Sequence, residues 1–243
     1  MILKTIIAGP LRQQILYSNI RVSEDDSLET RRQKNAIRRQ TNYWFRTTHH
    51  ALAALILTNF DSSALWCTLT FTDERLPDER AKVARRFSYM VSLLKRNGNT
   101  IRYIKSMEHR HGAGRWHIHC IISGCTTEEV QQAWIYGGAK CERLDPNRVV
   151  PHKKANGQLS AGLAKYLCKE APDQVSQRLF QTSTRSARLA RPEVVRQIVP
   201  DDYQIKPPIG CRVIEGIHLA ENSYGSSYGM EWMLPLEKGD IGV

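Results

Sequence analysis

The stretch GRWHIHCIISG, residues 114–124, restricts the fold more than any other part of the chain. Glycines bound an Ile-rich run, which predicts a β-strand. Side chains alternate between the two faces of a strand. Trp116, Ile118, Cys120 and Ile122 therefore share a wholly apolar face that needs a core. His117 and His119 point together to the other face. An isolated pair of strand histidines is more often half-buried structure than a metal site, so the neighbouring segments have to decide between the two.

The preceding segment, IRYIKSMEHR (101–110), reads as a second strand, and HGAG as the turn between them. A two-residue or four-residue loop centred on Gly112 and Ala113 sets Glu108 directly opposite His117. Two imidazoles and one carboxylate on one face leave coordination positions open on a divalent cation, as catalytic sites do. A three-residue turn instead sends Glu108 to the other face, with His109 or His111 competing as ligand.

Around this hairpin the periodicity predicts alternating elements. LWCTLTF (65–71) reads as a strand and residues 78–97 as an amphipathic helix carrying Val83, Phe87, Met90, Val91 and Leu94. Residues 126–138 read as a helix capped by Thr126 or Thr127 and ended by Gly137. AKCERLDP reads as a short strand. Residues 159–171 read as a helix stopped by Pro172, with Gly162, Tyr166 and Lys169 on one stripe and Leu163, Ala164 and Leu167 beside it. The order predicts an α+β fold: an antiparallel central sheet with helices packed on it, ferredoxin-like or RRM-like, leaving one face for a ligand. A phenol can act as a phosphoryl-transfer nucleophile where its proton can leave and the phosphate is polarised. Tyr-x-x-Lys alone is a common half-buried helix pattern.

Taken together, the motifs resemble the single-tyrosine HUH endonucleases, the rolling-circle replication initiators (Rep) of plasmids, phages and small circular DNA viruses. CTLTF (67–71), HIHCIIS (117–123) and YLCK (166–169) resemble that family's three motifs in its order. WCTLTFTDERLPDE particularly resembles the initiators of small single-stranded DNA phages. The resemblance covers roughly residues 64–190. It implies an HUH nuclease fold and an enzyme that nicks one strand at a replication origin through a 5′-phosphotyrosine, leaves a 3′-OH to prime synthesis and later rejoins the ends. It implies Tyr166 as nucleophile and Lys169 as a phosphate-positioning group. It also implies His117, His119 and Glu108 as ligands of Mg2+ or Mn2+. Relatives with two tyrosines make paired cleavages; here Tyr166 stands alone in its helix. The tyrosine follows the histidines, unlike the order in conjugative relaxases, while HUH transposases share this order.

Charge fits a polyanionic partner. Lys and Arg number 35 against 24 Asp and Glu, a net charge of +11. Residues 27–58 read as helical, with Arg31, Arg32, Arg38 and Arg39 among interleaved aromatics, a pattern suited to phosphates and stacked bases. STRSARLARP (183–192) adds Arg185, Arg188 and Arg191 as backbone-contacting candidates. Both segments are equally readable as solvated basic surface. The expected organisation is a basic helical extension (1–60), the endonuclease domain (61–200) and a loop-rich tail (201–243).

The six cysteines form no CxxC and read as reduced thiols of a cytoplasmic protein in a bacterial host. ALAALIL (51–57) is too short to span a bilayer. No GxxxxGK[ST] is present, so a host helicase and polymerase are the expected partners beside single-stranded origin DNA. Two further readings compete: an origin- or operator-binding protein that does not cleave, and a metal-dependent phosphoesterase that uses water.

Overall fold

The computed structural model describes residues 1–46, 49–109, 115–168, 183–185 and 189–236. In chain order the elements are β1 (Ile2–Ala8), β2 (Leu11–Tyr17), α1 (Leu28–Arg46), α2 (His49–Asn59), β3 (Leu65–Thr70), α3 (Arg80–Arg96), β4 (Arg102–His109) and β5 (Trp116–Ser123). They continue with α4 (Thr127–Ala133), β6 (Ala139–Arg143), β7 (His152–Lys153), β8 (Leu159–Ser160), α5 (Leu163–Cys168), β9 (Ser183–Arg185), β10 (Glu193–Ile198), β11 (Arg212–Asn222) and β12 (Gly225–Met233). The fold is α+β with antiparallel sheets, as the alternation of strand and helix patterns predicts.

Two compact units are present, and they do not follow the chain linearly. The first comprises Met1–Thr58, Val150–Ala161 and Ala190–Glu237; the second comprises Asn59–Val149, Gly162–Leu189 and Lys238–Val243. The expected boundaries at 60 and 200 cut the chain only in sequence. The first unit instead gathers three separate stretches.

The first unit holds a five-stranded sheet in the order β10-β1-β2-β12-β11. Its last two strands come from the segment expected to be a loop-rich tail. They form a hairpin in which Asn222 pairs with Gly225. The glycines and serines that read as loop serve close packing instead. A Cβ on Gly225 would meet the Ser18 side chain at 2.4 Å, and one on Gly216 would meet the Tyr228 hydroxyl at 2.5 Å. Ser227 is fully buried. Small residues in a strand mark close approach as readily as they mark a turn.

The second unit holds the sheet β6-β3-β5-β4-β9. Leu65, Cys67 and Leu69 of β3, Met107 of β4 and Ile118, Cys120 and Ile122 of β5 share one face with Phe87, Met90 and Leu94 of α3 and Val130 of α4. Each of the large side chains stabilises the unit by roughly 1.5–3 kcal/mol through burial. α3 presents the expected stripe. α4 begins on a capping box in which the Thr126 hydroxyl accepts from the Glu129 amide and the Glu129 carboxylate accepts from the Thr126 amide.

Two helix ends differ from expectation. α4 stops at Ala133, not Gly137. Trp134 leaves the helix to bury its indole, whose N–H donates to the Thr70 carbonyl at 2.8 Å. Gly137 serves β3: a Cβ there would lie 2.4 Å from the Thr70 carbonyl oxygen. The helix expected over 159–171 begins only at Leu163. Leu159 and Ser160 pair with β7, and Gly162 takes φ +83° before the helix starts. Gly162 therefore precedes the helix instead of lying on its stripe, although its carbonyl accepts the Tyr166 amide at 3.0 Å.

Candidate functional site

The second unit's sheet turns its other face toward α5. Register sets Glu108 against His117 and Ser106 against His119. On the far side of β5, Thr68 pairs with His119 and Thr70 with His117. The hairpin therefore has the register that places the carboxylate beside the imidazoles, with residues 110–114 of the connection outside the described residues.

Tyr166 reaches this face from α5. Its hydroxyl lies 3.0 Å from His119 Nε2 and donates to Glu108 Oε2 at 3.2 Å. His119 Nε2 and Glu108 Oε2 are themselves 3.0 Å apart. Phenol, imidazole and carboxylate thus form one hydrogen-bonded triangle. Glu108, His117, His119 and Tyr166 line a cavity of about 260 Å³. Tyr166 remains 39% exposed, so its oxygen is reachable from solvent while its neighbours are held.

The elements around the triangle fix the His119 ring. Its Nδ1 lies 3.2 Å from the Thr68 hydroxyl. The Trp66 indole stacks nearly parallel to it, with centroids 5.8 Å apart and planes at 8°. Trp66 also meets the Tyr166 ring edge-on at 6.1 Å. Burial pushes the His119 pKa down, and the negative charge of Glu108 opposes that only in part. The ring is therefore biased toward neutral imidazole, the form that accepts a proton or binds a cation.

Two imidazoles and a carboxylate around one cavity are a donor set suited to a divalent ion. Glu108 and His119 are already in contact, whereas the three donors including His117 do not all fall within 4.8 Å of one another; among the described residues that spacing is met by His49, His50 and Glu215 of the first unit. Binding of one ion by Glu108, His117 and His119 together therefore needs a side-chain rearrangement.

The remaining predicted residues are scattered. Lys169 and Arg188 lie outside the described residues, and Arg185 is described only as backbone of β9, opposite Ile104. Arg191 is exposed. Arg31, Arg32, Arg38 and Arg39 lie on α1 in the first unit. Arg31 donates to the Glu24 carbonyl and Arg39 to the Asn35 carbonyl at 3.4 Å, while Arg32 and Arg38 are exposed. Arg38 lines a cavity of about 530 Å³ with Lys4, Arg21 and Arg196.

Sequence reasoning missed Thr68 and Trp66 as supports of the histidine. Both sit in the first motif at the positions that alternate away from the core, so strand periodicity alone carried the signal. It also missed the three cations beside Arg38, which come from β1, the β2–α1 connection and β10 and share no local pattern.

Residues 64–174 match the family model of the replication-associated protein ORF2. The matched span contains β3, β4, β5 and α5, hence every residue of the triangle. Comparison with curated proteins and with solved structures finds no match. No helix among the described residues is long and apolar enough to cross a membrane. The match supports a replication-associated role for the second unit and an association with DNA.

Proposed function

We propose that this chain nicks and rejoins single-stranded DNA at a replication origin, with Tyr166 as the nucleophile, and so initiates rolling-circle replication. The observation that carries the reading is the phenol held within hydrogen-bond distance of both an imidazole nitrogen and a carboxylate oxygen. A phenol at its ordinary pKa is a weak nucleophile, and a neighbouring base removes that obstacle. His119 Nε2 or Glu108 Oε2 takes the hydroxyl proton as the Tyr166 oxygen bonds to phosphorus. The bond from phosphorus to the 3′ oxygen breaks, and that oxygen leaves as a 3′-OH after taking a proton from water. The 5′ phosphate stays on Tyr166. Attack by a 3′-OH on the same phosphorus reverses the step and reseals the strand.

Glu108, His117 and His119 are the residues that would hold Mg2+ or Mn2+, which when bound supplies Lewis-acid polarisation of the phosphate. Thr68 and Trp66 keep the His119 ring in place. Lys169 is proposed to hold the phosphate electrostatically, and Arg31, Arg32, Arg38, Arg39, Arg185, Arg188 and Arg191 to contact the DNA backbone. A replicative helicase and polymerase of a bacterial host cell would act on the primed strand.

The test is incubation of the chain with Mn2+ and end-labelled single-stranded oligonucleotides tiled across the DNA flanking its gene. A labelled protein adduct that survives denaturation and is lost in Tyr166→Phe is the expected result. Cleavage without an adduct, retained in Tyr166→Phe, would assign a water-using phosphoesterase instead. Binding with neither cleavage nor adduct would assign a DNA-binding protein.

A further inference from the structure

The first unit carries a second cluster of imidazoles and carboxylates, unrelated in sequence to the first. β12 lies between β2 and β11, and register aligns Gln13, Glu231 and Glu215 in one row across the three strands. Two carboxylates directly opposite one another repel, and such a pair is unfavourable without a cation to share. The N-terminal end of α2 brings His49 and His50 to this row, with their ring centroids 4.1 Å apart.

The cluster has the layering of a metal site. Glu231 is 1% exposed; it accepts from Gln13 Nε2 at 2.6 Å and lies 3.1 Å from His50 Nδ1. A carboxylate on one imidazole nitrogen fixes the ring and leaves the other nitrogen for an ion. That other nitrogen, Nε2, lies 3.6 Å from Glu215 Oε2. One donor atom from each of His49, His50 and Glu215 falls within 4.8 Å of the others. Glu215 follows a register shift in the β11–β12 ladder, between Val213 and Glu215. Bulges of this kind re-aim a side chain. His50 is buried, and the Glu215 side chain is 40% exposed, so the cluster opens to solvent on one side.

We propose that His49, His50 and Glu215 bind a divalent transition-metal ion, with Glu231 and Gln13 orienting His50. Two imidazoles and one carboxylate favour Zn2+ and its neighbours over Mg2+ or Ca2+, which prefer all-oxygen shells. Three protein ligands leave at least one position for water or another group. The ion ties the start of α2 to the β11–β12 hairpin, and its binding energy adds to the stability of the first unit.

The test uses the full chain carrying His117→Ala and His119→Ala, which removes the nickase candidate site and makes this outcome independent of that reading. Zn2+ alone is the probe, followed by calorimetric titration and by metal analysis after gel filtration. We expect about one equivalent of bound Zn2+, a higher melting temperature on loading, and no displacement by excess Mg2+. Adding Glu215→Gln, a change of matching shape at a half-exposed site, should weaken Zn2+ at least tenfold, and so should His49→Ala. Absence of bound Zn2+ in a folded background protein would overturn the proposal and leave His50 as a buried imidazole bridging two carboxylates. Binding unchanged by both added substitutions would overturn it equally.

Discussion

The Tyr166 hydroxyl lies 3.0 Å from Nε2 of His119, although 47 positions separate them in the chain. α5 and β5 meet only through the sheet face, so this contact is a product of the fold and not of local sequence. It makes the phenol removable without structural loss. Tyr166→Phe deletes one hydroxyl from a part-exposed side chain and should change stability by no more than about 1 kcal/mol. Covalent adduct formation should fall below detection. Melting curves and adduct gels run on the same preparation check both halves.

Thr68→Val tests the support of the histidine. Valine keeps the shape and removes the hydroxyl next to His119 Nδ1. Loss of an outer-shell partner of this kind typically lowers metal affinity by about 10–100-fold. The expected signature is a higher Mn2+ requirement for adduct formation, with near-normal rate at saturating Mn2+. An unchanged metal dependence would show that Thr68 is only a strand residue.

The His119 ring should titrate below its ordinary 6.5 in the metal-free protein, because burial disfavours the charged form more than Glu108 favours it. Between that lowered value and 6.5 the unfolded chain binds the proton more readily. Stability from this group is therefore full above pH 6.5 and falls as pH drops through the window. Glu108→Gln removes the opposing charge and should lower the His119 midpoint further. Imidazole resonances followed by NMR across pH 4–8 measure both values; a midpoint that rises in Glu108→Gln would contradict the assigned balance.

Lys105 sits on the core face of β4 with its ammonium 4.2 Å from the centroid of the Phe87 ring, and burial lowers its pKa from 10.5 to about 8. Keeping it charged at neutral pH costs the fold about 3 kcal/mol, at 1.36 kcal/mol for each pH unit between the two values. The unfolded chain binds this proton more tightly between pH 8 and 10.5, so stability recovers as pH climbs through that range. Lys105→Met should stabilise the chain below pH 8 by about 1–3 kcal/mol and remove that recovery. Urea unfolding at pH 7 and pH 10 provides the check.

Gly137→Ala should destabilise the second unit by about 1–3 kcal/mol, since its Cβ would press on the Thr70 carbonyl, a backbone atom that cannot turn aside. The displaced strand carries Thr68, so adduct formation should fall with stability. Urea unfolding combined with the adduct assay reads both.

The candidate site was legible in the sequence because its parts obey short-range rules. Period-two alternation put His117 and His119 on one face, and a symmetric hairpin put Glu108 opposite His117. The placement of Tyr166 depended on α5 crossing that face, which no local pattern states; there the resemblance to a known family supplied the expectation. The first unit was the least legible. Its sheet joins β1 and β2 to β10 and β12, strands nearly 200 residues apart, and its hairpin hides behind the Gly and Ser residues that close packing demands. His50 and Glu231 likewise meet across 181 positions, beyond the reach of any spacing argument.

The most direct measurement is mass spectrometry of the adduct after exhaustive nuclease and protease digestion. The account predicts a nucleotide phosphate attached to the peptide containing Tyr166, at the tyrosine oxygen, and to no other residue. A nucleotide phosphate on a different side chain, or cleaved DNA with an unmodified Tyr166 peptide at every time point, would contradict it.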